Sequence, residues 1–126
     1  MAYASQADFL ASINQFSLPN ELLDGYVIES ALEDASALIL SYITVAYEEL
    51  KEPFDRAIKR KCIDIAYYYL MNKRGFNPAN NSDVTVANDY TTALQYLKEL
   101  QKNRVILINK ADSPANLKNV PFVDGG

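Results

Sequence analysis

The sequence predicts a small all-α domain, a helical bundle of three long helices and a short N-terminal one, with a short extended segment and a C-terminal tail. Three observations predict it. Apolar residues recur at helical spacing over residues 26–47, 53–74 and 83–103. The stretches between them are brief and rich in Pro, Gly, Asn and Asp, the residues of turns. Only residues 104–108 (RVILI) read as extended, by their β-branched content. A chain of 126 residues is of one-domain size and can bury a modest core. Residues 1–108 form the helical domain and 109–126 the tail.

Ser5 is placed to cap the first helix, with Asp8 three residues on in a capping-box arrangement. Phe9, Leu10 and Ile13 give it one apolar edge. Residues 17–25, with Pro19 and Asn20, read as a connecting turn. The second helix, residues 26–47, carries Ile28, Ala31, Leu32, Ala35, Leu38, Ile39, Tyr42, Ile43 and Ala46 on its inner side. Glu29, Glu33, Leu40 and Tyr47 share the opposite side. Residues 48–52 make an acidic link, favourable near the positive end of the helix that follows.

That following helix, residues 53–74, organises the chain. Pro53 suits a first helical position, where its missing amide has no partner to lose. Lys73 and Arg74 complement the negative end of the helix dipole, and Gly75 is free to take a left-handed closing conformation. Phe54, Ile58, Cys62, Ile65, Ala66 and Tyr69 form one broad apolar face, widened by Ile63 and Leu70. A stripe that wide packs against more than one neighbour. After Gly75 the run FNPANNSD is loop chemistry, and Ser82 or Asp83 is the expected cap of the last long helix. Val86, Tyr90, Ala93, Leu94, Leu97 and Leu100 give that helix a narrower stripe, so it packs on one side and stops near Asn103. Residues 104–108 lack an obvious strand partner. Residues 109–126, with Pro114, Pro121 and two terminal glycines, are not expected to order alone.

Composition narrows the function. Histidine is absent, which removes the commonest general base and the commonest metal ligand. There is no Gly-rich phosphate loop, HExxH, CxxC or GxSxG, so no enzymatic role, metal or cofactor is expected. The single cysteine, Cys62, lies on the apolar face of the central helix and reads as a small buried hydrophobe. No apolar run is long enough to span a membrane, and the start lacks the charged-then-apolar pattern of a signal peptide. Asp64 has Arg60 and Lys61 four and three residues before it, the spacing of a helix-surface ion pair.

Charge is segregated. Residues 21–55 hold nine acids against Lys51, a local −8, and residues 56–74 hold six bases against Asp64, a local +5, within a total of −4. That total argues against sequence-independent nucleic-acid binding by one subunit. The asymmetry suits self-association through unlike surfaces. One stripe of the central helix carries Arg56, Arg60, Tyr67, Met71 and Arg74. Interleaved bases and an aromatic suit stacking and phosphate contact with nucleic acid. A protein–protein patch, where Tyr, Arg and Met are favoured, fits the total charge better.

The residues also carry a resemblance. MAYASQADFL resembles the "YATxxDL" start of the head–tail connector proteins of Mu-like phages and prophages, a family long described as a domain of unknown function. ALEDASALILSYI, residues 31–43, resembles its "ALxDASxxIDxYL" helix. Cys62, Asp64, Ile65, Ala66, Tyr68 and Leu70 match "C/A-x-D-I-A-x-Y-x-L". Tyr90, Ala93, Leu94, Leu97 and Val105 match "YxxALxxLxxIxxGxVxL". The matches run in order over about residues 1–108. Two departures concern loops: the Asp/Gly-rich segment before the second helix is shortened to about residues 19–25, and Asn103 replaces the family's glycine.

The resemblance implies a virion neck component, an adaptor forming a twelvefold ring below the portal and passing DNA to the tail without specific recognition. Its partners would be further copies of itself, the portal protein, and a stopper or tail-completion protein, with assembly in the host cytoplasm. A ring needs a contact in which one surface meets a different surface of the next copy. The stripe of Glu29, Glu33, Leu40 and Tyr47 against that of Arg56, Arg60, Tyr67, Met71 and Arg74 would supply it. Val105, Ile106, Leu107, Ile108, Pro114, Pro121 and Phe122 would dock the tail on a partner. The alternatives are a small helical protein-binding or regulatory module acting as monomer or dimer and, behind it, a nucleic-acid-binding protein.

Overall fold

The computed structural model describes residues 2–46, 54–102, 108–109 and 113–114. Helix α1 (Gln6–Ser12) starts on the expected capping box: the Asp8 amide donates to Ser5 Oγ (3.0 Å) and the Ser5 amide to Asp8 Oδ2 (3.2 Å). The connection that follows contains two 3₁₀ turns, Gln15–Ser17 and Asn20–Leu23. Helix α2 (Gly25–Ala46) is held at its start by Asp24, whose Oδ1 accepts from the Tyr26 amide (2.9 Å).

Helix α3 (Arg56–Arg74) begins three residues later than the sequence predicts. Asp55 is the cap, its Oδ1 accepting from the amides of Ala57 (2.7 Å) and Ile58 (3.4 Å). A capping carboxylate satisfies two orphan amides, a stronger start signal than a proline at the first helical position. Pro53 lies outside the described residues. The other end follows expectation: Gly75 takes φ +113° and its amide donates to Met71 O (2.9 Å). Helix α4 (Asn81–Gln101) is capped by Asn80, not by Ser82 or Asp83; Asn80 Oδ1 accepts from both of their amides.

Helices α2, α3 and α4 all pack on one another, and α3 also touches α1 and the second 3₁₀ turn. The breadth of the α3 stripe makes that possible. Ile58, Cys62, Ile65, Ala66 and Leu70 are fully buried, with Leu32, Ile39 and Ile43 from α2 and Leu97 and Leu100 from α4. Each Ile or Leu among them contributes about 1.5–3 kcal/mol relative to exposure. Phe9 of α1 is fully buried too, which fixes the short helix to the bundle. Phe54 and Tyr69, expected in the core, pack against it half-buried.

Residues 108–109 and 113–114 form a two-residue antiparallel ladder, β1 (Ile108–Asn109) with β2 (Ser113–Pro114). Of the extended segment, Ile108 alone lies in this ladder, opposite Pro114 of the same chain, where no obvious partner was expected. Most of that segment, Arg104 to Leu107, lies outside the described residues.

One polar contact reaches deep into the bundle. The Tyr3 amide donates to Ser36 Oγ (2.9 Å), and Ser36 Oγ lies 3.4 Å from Cys62 Sγ. Ser36 is buried, so its hydroxyl ties the N-terminal segment to α2 away from water. Ser36→Ala should lower the unfolding free energy by about 1–2 kcal/mol, because a buried amide loses its acceptor. An unchanged urea midpoint would show that the tie is dispensable.

Candidate functional site

The two stripes expected to meet between subunits fare differently. On α2, Glu33 is exposed and Leu40 is 40% exposed. Tyr26, not singled out by the sequence, is 90% exposed on the same side. It precedes Glu33 by seven residues, as Glu33 precedes Leu40, so the three share one helical stripe. Glu29 lies at the edge of that face, half-buried, and its Oε1 accepts from Gln6 Nε2 (3.2 Å). Tyr47 lies outside the described residues.

On α3 the stripe splits. Arg56 and Arg60, in its first half, are exposed. Arg60 Nε lies 3.8 Å from Asp64 Oδ1, the expected ion pair, though at a distance that gives weak attraction. The second half is consumed by the subunit itself. Met71 is 1% exposed, which corrects the expectation that it is spare for a partner. Tyr67 is half-buried; its ring meets Phe9 edge-on (centroids 6.1 Å apart, 84°) and its hydroxyl is 2.5 Å from Ser17 Oγ. Arg74 donates through Nη1 to Ser17 O (2.9 Å) and through Nη2 to Asp83 and to Gly75 O (3.2 Å). The physical reason is coverage. The helical wheel places the five residues on one stripe, but the α1–α2 connection and the start of α4 fold over its C-terminal half.

Asp83 is the acceptor that sequence reasoning missed. Its carboxylate is 2% exposed and also accepts from the Asn77 amide (2.9 Å). Asn80 had a signal of its own: an Asn three residues before an Asp, ahead of a periodic apolar run, is a capping signature.

The exposed half of the stripe borders a groove of about 350 Å³ between α1 and α3. Phe54, Ile63 and Ala11 supply its apolar part, and Arg56, Lys59 and Arg60 its charge. Lys59 Nζ pairs with Asp8 Oδ2 across it (3.3 Å). The Asp8 carboxyl is held below its ordinary value, chiefly by the backbone hydrogen bond from Ser5 and then by the Ser5 side chain. The volume is at the lower end of small-molecule sites. The lining suits side chains of an apposed surface better than a cofactor.

A second cluster sits where α3 meets α4. Tyr68 stacks on Tyr90 with centroids 4.1 Å apart and planes 15° off parallel, and Tyr69 leans on the same ring at 6.2 Å. Lys61 lies over the Tyr96 ring, 5.3 Å from its centroid. Asp64 is 14% exposed, and its carboxyl is pushed up to about 6. Burial raises it most, Asp89 adds to that, and Arg60 and Lys61 only partly offset the rise. Cys62 is fully buried, as its position on the apolar face predicts, and burial pushes its thiol up. A raised thiol with no solvent access is unreactive.

Among the described residues, no three of Cys, Asp and Glu are grouped to hold a metal ion, and no helix is long and apolar enough to cross a membrane. Ile108 and Pro114 of the expected docking segment lie in the small ladder, and Val105, Ile106, Leu107, Pro121 and Phe122 lie outside the described residues.

Comparison with curated proteins finds no match. The family model described as "Bacteriophage Mu, Gp36" matches residues 3–123, nearly the whole chain. Both the helical domain and most of the tail fall within that match. The chain therefore belongs to the bacteriophage Mu Gp36 family, and as a phage protein its family points to a structural or assembly role.

Proposed function

We propose that this protein is a head–tail connector, an adaptor whose copies form a twelvefold ring below the portal in the virion neck. The family match over residues 3–123 carries this reading. The four connector-like motifs, in order along the chain, refine it from phage assembly to the neck. Two features of the subunit agree with it. Exposed apolar groups on α2 lie beside acids, and the groove between α1 and α3 sets Phe54 and Ile63 among Arg56, Lys59 and Arg60. The protein performs no chemistry: it holds the portal on one side and a stopper or tail-completion protein on the other, and double-stranded DNA passes through the opening without being read. Electron microscopy of the protein mixed with its portal tests this. A ring of density capping the portal is the expected result, and particles that stay small beside bare portals would refute it.

The tail serves docking. Residues 109–126 have two prolines, two glycines and few apolar groups, a composition suited to lying along a partner. A chain ending at Asn109 should keep the helical content and melting temperature of the full protein while assembling on portal at least tenfold more weakly. Full assembly by the shortened chain would remove the tail from the interface.

A further inference from the structure

The geometry points to a specific contact between copies, in which the outer face of α2 of one subunit seats in the α1–α3 groove of the next. This inference rests on the ring reading above and supplies the surfaces that reading leaves open. It differs from the stripe-to-stripe contact expected from the sequence, because Met71, Tyr67 and Arg74 are occupied inside the subunit.

The α2 face presents Tyr26, Glu33 and Leu40 over about 21 Å of helix at 1.5 Å per residue. Between them lie Ser30 and Ala37, both exposed and too small to hold a partner away. Asp34 adds a second exposed carboxylate beside Glu33. The groove offers the complement: an apolar floor at Phe54 and Ile63, flanked by Arg56, Lys59 and Arg60. Among the described residues Arg56 has no ion-pair partner, and Arg60 holds only the 3.8 Å contact with Asp64. Leu40 on the floor and Glu33 toward Arg56 and Arg60 satisfy both surfaces at once.

The two surfaces are different patches of the subunit, so the contact is head-to-tail and propagates into a ring wherever the rotation closes. Like-to-like pairing is disfavoured: two α2 faces would oppose Glu33 and Asp34 to their own copies, and two grooves would oppose arginines. Nucleic acid is the weaker occupant of the groove. Asp8 sits within it, and the chain as a whole is acidic.

The test uses two full-length variants, Glu33→Arg and the double variant Arg56→Glu/Arg60→Glu, with assembly followed by sedimentation alone and on portal. All three positions are exposed, so both variants should fold; Glu33→Arg should melt as wild type, and the double variant somewhat lower, because Arg60→Glu sets a like charge beside Asp64. Each variant alone should assemble at least tenfold more weakly than wild type. An equimolar mixture should recover assembly, since every junction then sets an arginine against a glutamate. Wild-type assembly by either variant alone, or no recovery in the mixture, overturns this contact and leaves the ring reading standing. Wild-type protein that stays monomeric even with portal overturns both. Loss of DNA retention by the arginine variant, with assembly intact, would make the groove a nucleic-acid surface instead.

Discussion

Arg74→Met should destabilise the subunit by about 3 kcal/mol, toward the lower end for breaking a buried ion pair. The reason lies in what is left behind. Asp83 is 2% exposed and would keep only the Asn77 amide as a strong donor. A buried carboxylate without its cation is far costlier than a lost surface pair. Arg74 itself is about one quarter exposed, so water can reach part of the vacated space and limit the loss. The guanidinium also joins three segments: the end of α3, the Ser17 carbonyl in the α1–α2 connection, and Asp83 near the start of α4. Lysine cannot replace that fork, because its single ammonium cannot span Ser17 and Asp83 in fixed geometry. Arg74→Lys should therefore recover only part of the loss. The expected fall in melting temperature is roughly 10 °C for a domain of this size. Pairing Arg74→Met with Asp83→Leu should restore most of the stability, since both charges then leave together. A single variant that melts like wild type would mean that solvent, not Arg74, satisfies Asp83.

Much of the bundle is legible in the sequence because helical periodicity and burial are the same observation. Ile58, Cys62, Ile65, Ala66 and Leu70 could be assigned to one face before any neighbour was known, and the breadth of that face implied several neighbours. The capping box at Ser5 and the closing glycine at position 75 are local chemistry, readable within a few residues. The failures share a cause. Met71, Tyr67 and Arg74 lie on the outer stripe of α3 by angle alone, and only the path of the α1–α2 connection decides that the stripe is covered there. Periodicity carries no information about where a loop returns. Asp83 was missed for a similar reason: its role depends on Arg74 reaching it across the turn at Gly75.

The same distinction separates the candidate interface residues into those exposed as expected and those that are not. Leu40 and Glu33 were placed on an outer face by angle, and both are exposed there. Tyr26 opens the predicted helix but was not singled out, because spacing alone does not tell how far a first-turn side chain stands out from the bundle. The groove beside Arg56 and Arg60 needs α1 to approach α3, a tertiary event fixed by Phe9 entering the core. No spacing in α3 alone announces it.

Asp64→Asn should make the subunit more stable near pH 8 and flatten its pH dependence between pH 4 and 6. In the folded chain the Asp64 carboxyl stands at about 6, whereas an unfolded aspartate sits near ~3.9. Below both values the group is protonated in either state and adds nothing. Between them the unfolded chain has released the proton and the folded chain still holds it, so stability falls as pH rises. Above about 6 both states are ionised and the full cost of the buried charge is present. At about 1.4 kcal/mol per tenfold change in acidity, that cost is on the order of 2–3 kcal/mol. The side chain is 14% exposed, so solvent screening reduces it only modestly. Arg60 and Lys61 are already counted in the balance, which is why losing their attraction does not reverse the sign. Asparagine keeps the shape without the charge, and a gain of about 1–2 kcal/mol at pH 8 is expected, vanishing at pH 4. Asp8 runs in the opposite direction, its carboxyl being held low, but it contributes equally to both proteins and cancels in the difference. Urea unfolding of the two proteins at pH 4, 5, 6 and 8 reads this directly. A variant less stable than wild type at pH 8 would mean that the Arg60 pair, not burial, governs Asp64.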